Sequence, residues 1–172
     1  MLTDWVPDAI FHTRVRSDAA GEPNPFEWKR LTTEDVFAGR DIVLFGLPGA
    51  FTPACSDSHL PGYEERFESF RELGVDAVIC LSVNDAFTLY QWARMRQISN
   101  VFMLPDGNGD FTRLMGLLVD RRSTGMGMRS WRYSMHVVDR QMMRMFVEPG
   151  FRDNPDGVPV SVSDAETMLE YL

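Results

Sequence analysis

The apolar positions along the chain alternate between strand-like runs and helical spacing, and this alternation predicts an α/β fold. Continuous apolar runs at Asp41–Leu47 and at residues 75–83 are typical of central strands that are covered on both faces. Between them, apolar residues recur at intervals of three and four from Leu60 to Phe70, as on one face of a helix. The segment therefore predicts a β-α-β unit with parallel strands and a right-handed crossover.

Shorter elements are predicted on both sides of this unit from turn residues, alternation and capping patterns. They are strands or a hairpin at residues 11–16 and 26–31 joined by a loop with Gly21, Pro23 and Pro25, a short helix after Thr32 that stops at Gly39, a helix at 85–97 capped by Asn84, an extended segment at 101–104, a brief helix at 110–115, a hairpin of 131–138 and 141–147, and a last helix begun by the capping box Ser163-x-x-Glu166. We expect one domain, residues 1–172, with a mixed central β-sheet flanked by helices.

Pro61 and Gly62 interrupt the helix that follows the first strand of the unit. The proline ring clashes with the carbonyl group four residues earlier, that of Asp57, and removes one backbone hydrogen bond. We therefore expect a short first turn, a kink, and then a longer helix that ends near Gly74.

The net charge of −8 argues against a nucleic-acid-binding protein, because phosphate contacts need a basic surface. Seven arginines nevertheless lie between Arg113 and Arg144, against only Asp120 and Asp139 as acids. This cluster indicates either a solvated basic surface or a site for small anions. The apolar runs are too short to span a bilayer and no signal-peptide pattern is visible, so we expect a cytoplasmic protein without membrane contact.

Cys55 and Cys80 are the two cysteines of the chain, and neither belongs to a CxxC motif. Together with three histidines they form no recognisable zinc spacing, so we expect no metal and no other cofactor. Cys80 lies inside the second apolar run and is predicted to be a buried structural thiol. Because Cys55 lies beyond the end of the neighbouring strand, a disulfide between the two would require a rearrangement.

Cys55 follows a strand and a loop rich in Pro and Gly, at the first turn of a predicted helix. Ligands bind at this edge of α/β sheets, and a helix start favours a thiolate. Lowering a thiol pKa from about 8.5 to about 6 requires about 3.4 kcal/mol, whereas a helix start supplies about 0.3–2 kcal/mol. Asp57 opposes a thiolate, so we expect a cation, preferably an arginine, beside Cys55. His59, one turn further on, is predicted to be structural, with orientation of the site or a general-base role as alternatives.

Residues 48–63, PGAFTPACSDSHLPGY, resemble the active-site signature of the type II (five-like) peroxiredoxins. The P-x-x-x-T-x-x-C core is shared by peroxiredoxins in general, and the prefix PGAFTP and suffix HLPGY are typical of this subfamily. Similar matches at residues 80–87, 104–112 and 132–135 extend the resemblance from about Val6 to the C-terminus. It implies a thioredoxin-like fold and thiol-dependent reduction of hydrogen peroxide and alkyl hydroperoxides.

The resemblance also implies a role for each matching residue. Cys55 resembles the peroxidatic cysteine, which attacks the O–O bond and becomes a sulfenic acid. The other implied roles are the hydroxyl that hydrogen-bonds peroxide and thiolate (Thr52), the shield of the pocket (Pro48), the guanidinium that holds the thiolate (Arg132), the backbone N–H donors to the peroxide (Ala54 and Cys55) and the dimer contacts (Phe51 and Phe87). Without the resemblance, Arg132 is interpreted as an exposed strand residue on the same face as Ser134 and His136.

Residues 160–172 contain no cysteine, although some members of the subfamily carry a resolving cysteine there. The resemblance therefore implies a one-Cys cycle, in which separate glutathione with glutaredoxin, or thioredoxin, reduces the sulfenic acid, and it implies a homodimer. We hypothesise that the break at Pro61 lets the first helical turn unwind and expose oxidised Cys55 to its reductant.

Two other functions stay open at this point. A redox sensor would form the same sulfenic acid but pass it to a partner, so that peroxide is consumed stoichiometrically. A cysteine hydrolase would pair Cys55 with His59 or His136 as base and form an acyl-enzyme, although nothing in the motif around Cys55 favours it.

Overall fold

The computed structural model describes residues 4–16 and 25–172. Within these ranges the strands are β1 Ile10–Arg16, β2 Phe26–Thr32, β3 Asp41–Leu47, β4 Ala77–Ser82, β5 Phe102–Pro105, β6 Leu118–Asp120, β7 Met128–Ser130, β8 Tyr133–Val138 and β9 Gln141–Val147. The helices are α1 Thr33–Phe37, α2 Leu60–Glu65, α3 Phe67–Glu72, α4 Ala86–Met95, α5 Asp110–Leu114 and α6 Ala165–Tyr171, with a π-helical turn at Cys55–His59 and a 3-10 turn at Arg122–Thr124. No helix in the described ranges has the length and apolar content needed to cross a lipid bilayer.

A five-stranded mixed sheet of order β5-β4-β3-β8-β9 positions the rest of the fold. β3, β4 and β5 run parallel, whereas β8 is antiparallel to both β3 and β9. Alternate residues of β3 enter two different apolar cores, Ile42 and Leu44 in one and Val43, Phe45 and Leu47 in the other. This arrangement confirms the predicted β-α-β unit and the mixed sheet between helices.

Two antiparallel pairs, β1–β2 and β6–β7, flank the central sheet. The predicted hairpin of β8 and β9 is present, and its turn residues Asp139 and Arg140 have φ values of 45° and 69°. Two consecutive residues with positive φ are typical of the tight turn that matches strand twist. Of the loop predicted between β1 and β2, Gly21 and Pro23 lie outside the described residues.

The cap of α4 differs from the prediction by one residue. Asp85, rather than Asn84, is the cap, and its carboxylate accepts the N–H of Thr88 at 2.9 Å. Asn84 has a different partner, because its Oδ1 accepts the N–H of Ala50 in the loop after β3 at 3.0 Å. Asn84 therefore ties the loop that leads to Cys55 to the end of β4.

The cap of α6 is also shifted by one residue from the predicted Ser163. Asp164 accepts the N–H of Thr167 at 3.0 Å, which is the usual contact of an N-cap. The hydroxyl of Ser163 donates instead to the carboxylate of Glu148 at 2.7 Å. The side chain of Ser163 therefore binds Glu148, which is distant in sequence, and does not cap the helix.

The helix after β3 begins with a π turn, which corrects the predicted break at Pro61. Leu60 donates its N–H to the carbonyl of Cys55, five residues earlier, so the backbone is wider just before the proline. α2 continues through Pro61, and the interruption lies at Arg66, where φ is −100° and ψ is 11°. The helical segment ends before Gly74, as predicted.

Candidate active site

Cys55 is the first residue of the π turn, beyond the carboxyl end of β3, and it is only 1% exposed. It belongs to an apolar core that also contains Phe45 and Met168. Cys80 is fully buried in the same core, and both thiols are free. Burial raises the pKa of Cys80 well above the usual range of a thiol, and Cys55 adds to the rise. Cys80 is thus the buried neutral thiol that its sequence position predicts.

Three of the predicted hydrogen-bonding groups belong to Cys55 and to the loop before it. The Thr52 hydroxyl donates to the carbonyl of Gly49 at 2.7 Å, which leaves its lone pairs free to accept. The first hydrogen bond of the turn runs from the N–H of Ser56 to the carbonyl of Thr52 at 3.0 Å. The N–H groups of Ala54 and Cys55 therefore precede the hydrogen-bonded ladder, as expected at a helix start.

Arg132 supplies the cation that the charge argument requires. Its Nη2 donates to Sγ of Cys55 at 3.4 Å, and the residue is 2% exposed. The expectation of an exposed strand arginine beside Ser134 and His136 is wrong, since Arg132 precedes β8 and is buried. The alternation of polar and apolar residues along β8 does not predict the contact between Arg132 and Cys55. That contact depends on how the start of β8 packs against the π turn.

Gly46, near the end of β3, permits β8 to come this close. Gly46 pairs with Tyr133, and a Cβ atom at Gly46 would lie 2.1 Å from the Tyr133 ring. A larger side chain would therefore displace Tyr133 and with it the neighbouring Arg132. Two residues after Gly46, Pro48 is buried at the start of the loop that leads to Cys55.

His59 contacts the same guanidinium as Cys55. Its Nδ1 lies 3.0 Å from Nη1 of Arg132, and its Nε2 lies 2.9 Å from the carbonyl of Ser163. Because a carbonyl only accepts, we assign the proton to Nε2, and Nδ1 accepts from Arg132. Burial lowers the pKa of His59 to about 3, and repulsion by Arg132 adds to the decrease. His59 is therefore neutral near physiological pH and orients Arg132.

The candidate bases of the hydrolase alternative are both engaged elsewhere. The two nitrogens of His59 are occupied by Arg132 and Ser163. Nε2 of His136 lies 2.9 Å from Oδ1 of Asp41, and its Nδ1 lies 3.4 Å from the hydroxyl of Tyr171. The geometry therefore does not support general-base activation of Cys55 by either histidine.

The two residues that follow Cys55 are bound by α4 and by Arg96, the residue directly after it. The indole N–H of Trp92 donates to the hydroxyl of Ser56 at 3.0 Å, in the protein interior. Asp57, which opposes a thiolate, forms an ion pair with Arg96 at 3.0 Å, and this cation offsets the carboxylate charge. Neither partner was identified from the sequence.

Three further residues belong to the site, although the sequence gives none of them a role there: Tyr63, Glu148 and Ser163. The Tyr63 hydroxyl donates to the carbonyl of Ser163 at 2.8 Å, and its ring stacks on Phe45 with centroids 4.0 Å apart. Glu148 directly follows β9, and its carboxylate is buried. The signal that the sequence offers is an acidic residue directly after the apolar residues 145–147.

The arrangement favours chemistry by an ionised cysteine. A guanidinium within hydrogen-bond distance of a buried sulfur stabilises the thiolate, which is the nucleophilic form. In residues 4–16 and 25–172, no group of three or more His, Cys, Asp or Glu side chains is arranged to hold a metal ion.

Comparison with known proteins identifies the family. The family model described as Redoxin matches residues 16–169. Over 172 residues the chain is 55% identical to peroxiredoxin sll1621 of Synechocystis, with 100% of this chain and 91% of that protein covered. The chain belongs to the peroxiredoxin family. This peroxiredoxin is also 44% identical to the hybrid peroxiredoxin hyPrx5 of Haemophilus influenzae over 97% of the chain and 64% of that protein, which confirms the resemblance to the five-like subfamily.

A solved structure shows the same fold. The Plasmodium falciparum antioxidant protein, a 1-Cys peroxiredoxin, superimposes with a TM-score of 0.90 and 33% identity, covering 98% of this chain and 97% of that one. The thioredoxin-like fold predicted from the sequence is thereby confirmed. The family membership makes the protein a thiol-dependent peroxidase, an oxidoreductase that acts on hydroperoxides.

Proposed function

We propose that this peroxiredoxin reduces hydrogen peroxide and alkyl hydroperoxides in a one-Cys cycle based on Cys55. The thiolate sulfur attacks one peroxide oxygen, the O–O bond breaks, and the departing oxygen takes up a proton to become water or an alcohol. The sulfur is oxidised to a sulfenic acid as the peroxide is reduced. The observation that carries this proposal is the contact of 3.4 Å between Nη2 of Arg132 and Sγ of Cys55.

Each surrounding residue has a defined part in this step. Arg132 holds the thiolate and polarises the peroxide, and the Thr52 hydroxyl, which donates to the carbonyl of Gly49, accepts from the peroxide. The N–H groups of Ala54 and Cys55 complete the donors around the peroxide oxygens, where negative charge develops as the bond breaks. Pro48, buried at the base of the loop, shields the pocket from water.

Regeneration of Cys55 requires an external thiol. Cys80 is fully buried, and its raised pKa keeps it protonated. The sulfenic acid therefore condenses with an outside thiol, releasing water and forming a mixed disulfide, and a second thiol then frees Cys55. Glutathione with glutaredoxin, or thioredoxin, fits this role. The similarity to a 1-Cys peroxiredoxin supports the same cycle.

The reductant reaches Cys55 only after the π turn opens, because Cys55 is 1% exposed. A peroxide is small enough to enter the closed site, whereas a bulky thiol is not. We place the opening in Cys55–His59, where the π-type bond to Leu60 replaces the regular helical ladder. Pro61 favours opening because it has no N–H with which to stabilise the turn.

We also propose a homodimer that forms through Phe51 and Phe87. These side chains are 49% and 50% exposed, and exposed large aromatic residues are frequent anchors of protein interfaces. Phe87 is already held in place by Trp28, with ring centroids 5.4 Å apart. Two free thiols and dependence on thiol donors suit a cytoplasmic location, which detection of the protein in cell fractions tests.

Peroxide consumption tests the cycle directly. Wild type, Cys55→Ser and Cys80→Ser are each assayed with glutathione plus glutaredoxin and with thioredoxin. We expect catalytic turnover in the wild type and in Cys80→Ser, and none in Cys55→Ser. A folded but inactive Cys80→Ser would contradict the one-Cys cycle, and a single stoichiometric oxidation of the wild type with both donors would favour the sensor.

A further inference from the structure

Glu148 is 1% exposed, and its carboxylate accepts five hydrogen bonds from a single short loop. Oε1 accepts the N–H groups of Ser161, Val162 and Ser163 at 2.7, 2.9 and 2.9 Å, and the Ser163 hydroxyl at 2.7 Å. Oε2 accepts the Ser161 hydroxyl at 2.6 Å. Burial alone raises the pKa of Glu148, but the hydrogen bonds from Ser161, Val162 and Ser163 outweigh burial and bring it to about 2. The loop is therefore fixed around a permanent anion.

The backbone of Glu148 is bound to the segment that carries the active-site arginine. Its N–H donates to the carbonyl of Arg132 at 3.1 Å, and its carbonyl accepts the indole N–H of Trp131 at 2.8 Å. Glu148 thus links the loop at residues 161–163 to the start of β8.

The loop leads back to the same arginine through its side chain. The carbonyl of Ser163 accepts from Nε2 of His59 at 2.9 Å, and Nδ1 of His59 accepts from Nη1 of Arg132 at 3.0 Å. The bonds therefore form a closed ring that begins and ends at Arg132. Glu148 determines the backbone position of the arginine directly, and the orientation of its guanidinium through Ser163 and His59.

The tautomer of His59 is the sensitive point of this ring. With the Ser163 carbonyl in place, the proton stays on Nε2 and Nδ1 is free to accept. If the carbonyl moves, the other tautomer becomes accessible, and its Nδ1–H faces the N–H of Arg132. Two donors repel each other, so the guanidinium turns away from Cys55. The charges around the ring are those of Arg132, Glu148 and Asp164.

We propose that Glu148 is a positioning residue for peroxide reduction, which holds the 161–163 loop so that His59 directs the guanidinium of Arg132 at Cys55. The proposal rests on the proposed roles of Cys55 and Arg132. It accounts for the five hydrogen bonds by which a buried carboxylate fixes the loop beside the site.

Two substitutions separate the hydrogen bonds of Glu148 from its charge. Glu148→Ala removes every acceptor and frees the loop. Glu148→Gln keeps an oxygen for the three N–H groups, and its amide N–H donates to the Ser161 hydroxyl, which both donates and accepts. Asp106→Ala is the matched control, because Asp106 is a buried carboxylate whose hydrogen bonds run to Phe111 and Thr112.

The measurements are the rate of Cys55 oxidation as a function of pH and the tautomer of His59 by nitrogen NMR, in a chain with three histidines. For Glu148→Ala we expect a rate at neutral pH lower by about tenfold, a profile displaced to alkaline pH by about one unit, and a mixture of His59 tautomers. Glu148→Gln is expected to restore the wild-type profile and tautomer. Asp106→Ala is expected to lower the melting temperature and leave both readouts unchanged.

A folded Glu148→Ala with the wild-type profile and a single tautomer would overturn the proposal, and so would an equal displacement in Asp106→Ala. If Glu148→Ala does not fold, Glu148→Asp replaces it in the test. Its side chain keeps the charge, but it is one methylene group shorter, which moves the carboxylate away from the loop. A wild-type profile in that variant would also overturn the proposal. The tautomer of His59 is measured without peroxide, so this inference is tested independently of peroxidase activity. Activity that survives in Cys55→Ser would instead overturn the role of Cys55 itself.

Discussion

Trp92 of α4 donates its indole N–H to the hydroxyl of Ser56 at 3.0 Å, and both residues are fully buried. Ser56 directly follows Cys55, so this bond connects α4 to the segment that has to move before a bulky reductant reaches the sulfur. Opening the π turn leaves a buried donor without its partner, which costs about 1–3 kcal/mol. The bond therefore favours the closed, peroxide-reactive state.

Ser56→Ala removes this connection and is expected to ease opening. Reduction of the sulfenic acid by an external thiol should accelerate several-fold, while oxidation of Cys55 by peroxide changes little. Single-turnover kinetics of the two half-reactions measure this. Ser58→Ala is the control, because the Ser58 hydroxyl donates to the Ala54 carbonyl at an exposed position. Slower reduction in Ser56→Ala would refute the argument.

Pro61→Ala should act in the opposite direction. Alanine restores the N–H that the carbonyl of Asp57 lacks as a partner, so the regular ladder becomes available and the closed turn gains stability. We expect slower reduction of the sulfenic acid and nearly unchanged attack on peroxide, both resolved by stopped-flow measurement. Equal effects on the two half-reactions would contradict opening at this turn.

The neutral state of His59 makes the stability depend on pH. Its pKa is about 3 in the folded protein and about 6.5 when unfolded, so below 6.5 the unfolded chain binds the extra proton. The contribution of His59 to the free energy of unfolding is therefore fully present above pH 6.5 and declines as the pH falls toward 3. The decrease is about 2 kcal/mol at pH 5. Protonation of Glu148 lowers the free energy of unfolding only below about pH 4.5. Urea unfolding between about pH 7 and pH 5 therefore measures the contribution of His59 separately from that of Glu148.

The matched variants are His59→Gln and His12→Gln, the second at an exposed position. His59→Gln should lose much less stability than the wild type between these two pH values, whatever its stability at neutral pH. His12→Gln should follow the wild type. If the free energy of unfolding of His59→Gln had the same pH dependence as that of the wild type, the imidazole of His59 would not be held neutral in the folded protein.

The proposed dimer gives a prediction for the exposed aromatic residues. Phe51→Glu and Phe87→Glu place a charge in the proposed interface and should convert the dimer to a monomer in sedimentation experiments. Met143→Glu is the control, because Met143 is 51% exposed on β9. A wild-type monomer, or dissociation caused equally by Met143→Glu, would rule out this interface.

The elements of the fold were predictable where local pattern decides them. The apolar run of β3 requires cover on both faces, and the positive φ values at Asp139 and Arg140 follow from a two-residue hairpin. The sequence places the caps of α4 and α6 one residue early, at Asn84 and Ser163, because both side chains bind partners that are distant in sequence. Local propensity does not contain that information.

The same limit applies to the site. The position of Cys55 at a helix start and its need for a cation follow from the sequence, and the structure brings Arg132 to it. The role of His59 was unresolved because it depends on Ser163 and on Glu148, which join the site from beyond residue 140. The sequence does not predict the wide turn before Pro61 either, since proline normally predicts a break in a helix.

The most direct test of the account is the ultraviolet absorbance of the thiolate at neutral pH, with Cys55→Ser as the baseline. Wild type should show nearly one thiolate per chain, and Arg132→Met should retain under about a tenth, as for an isolated thiol. Arg129→Met should match the wild type, because the Arg129 guanidinium donates to the carbonyls of Val83 and Met126. A protonated thiol in the wild type, or a full thiolate in folded Arg132→Met, would contradict the central claim that this guanidinium ionises Cys55.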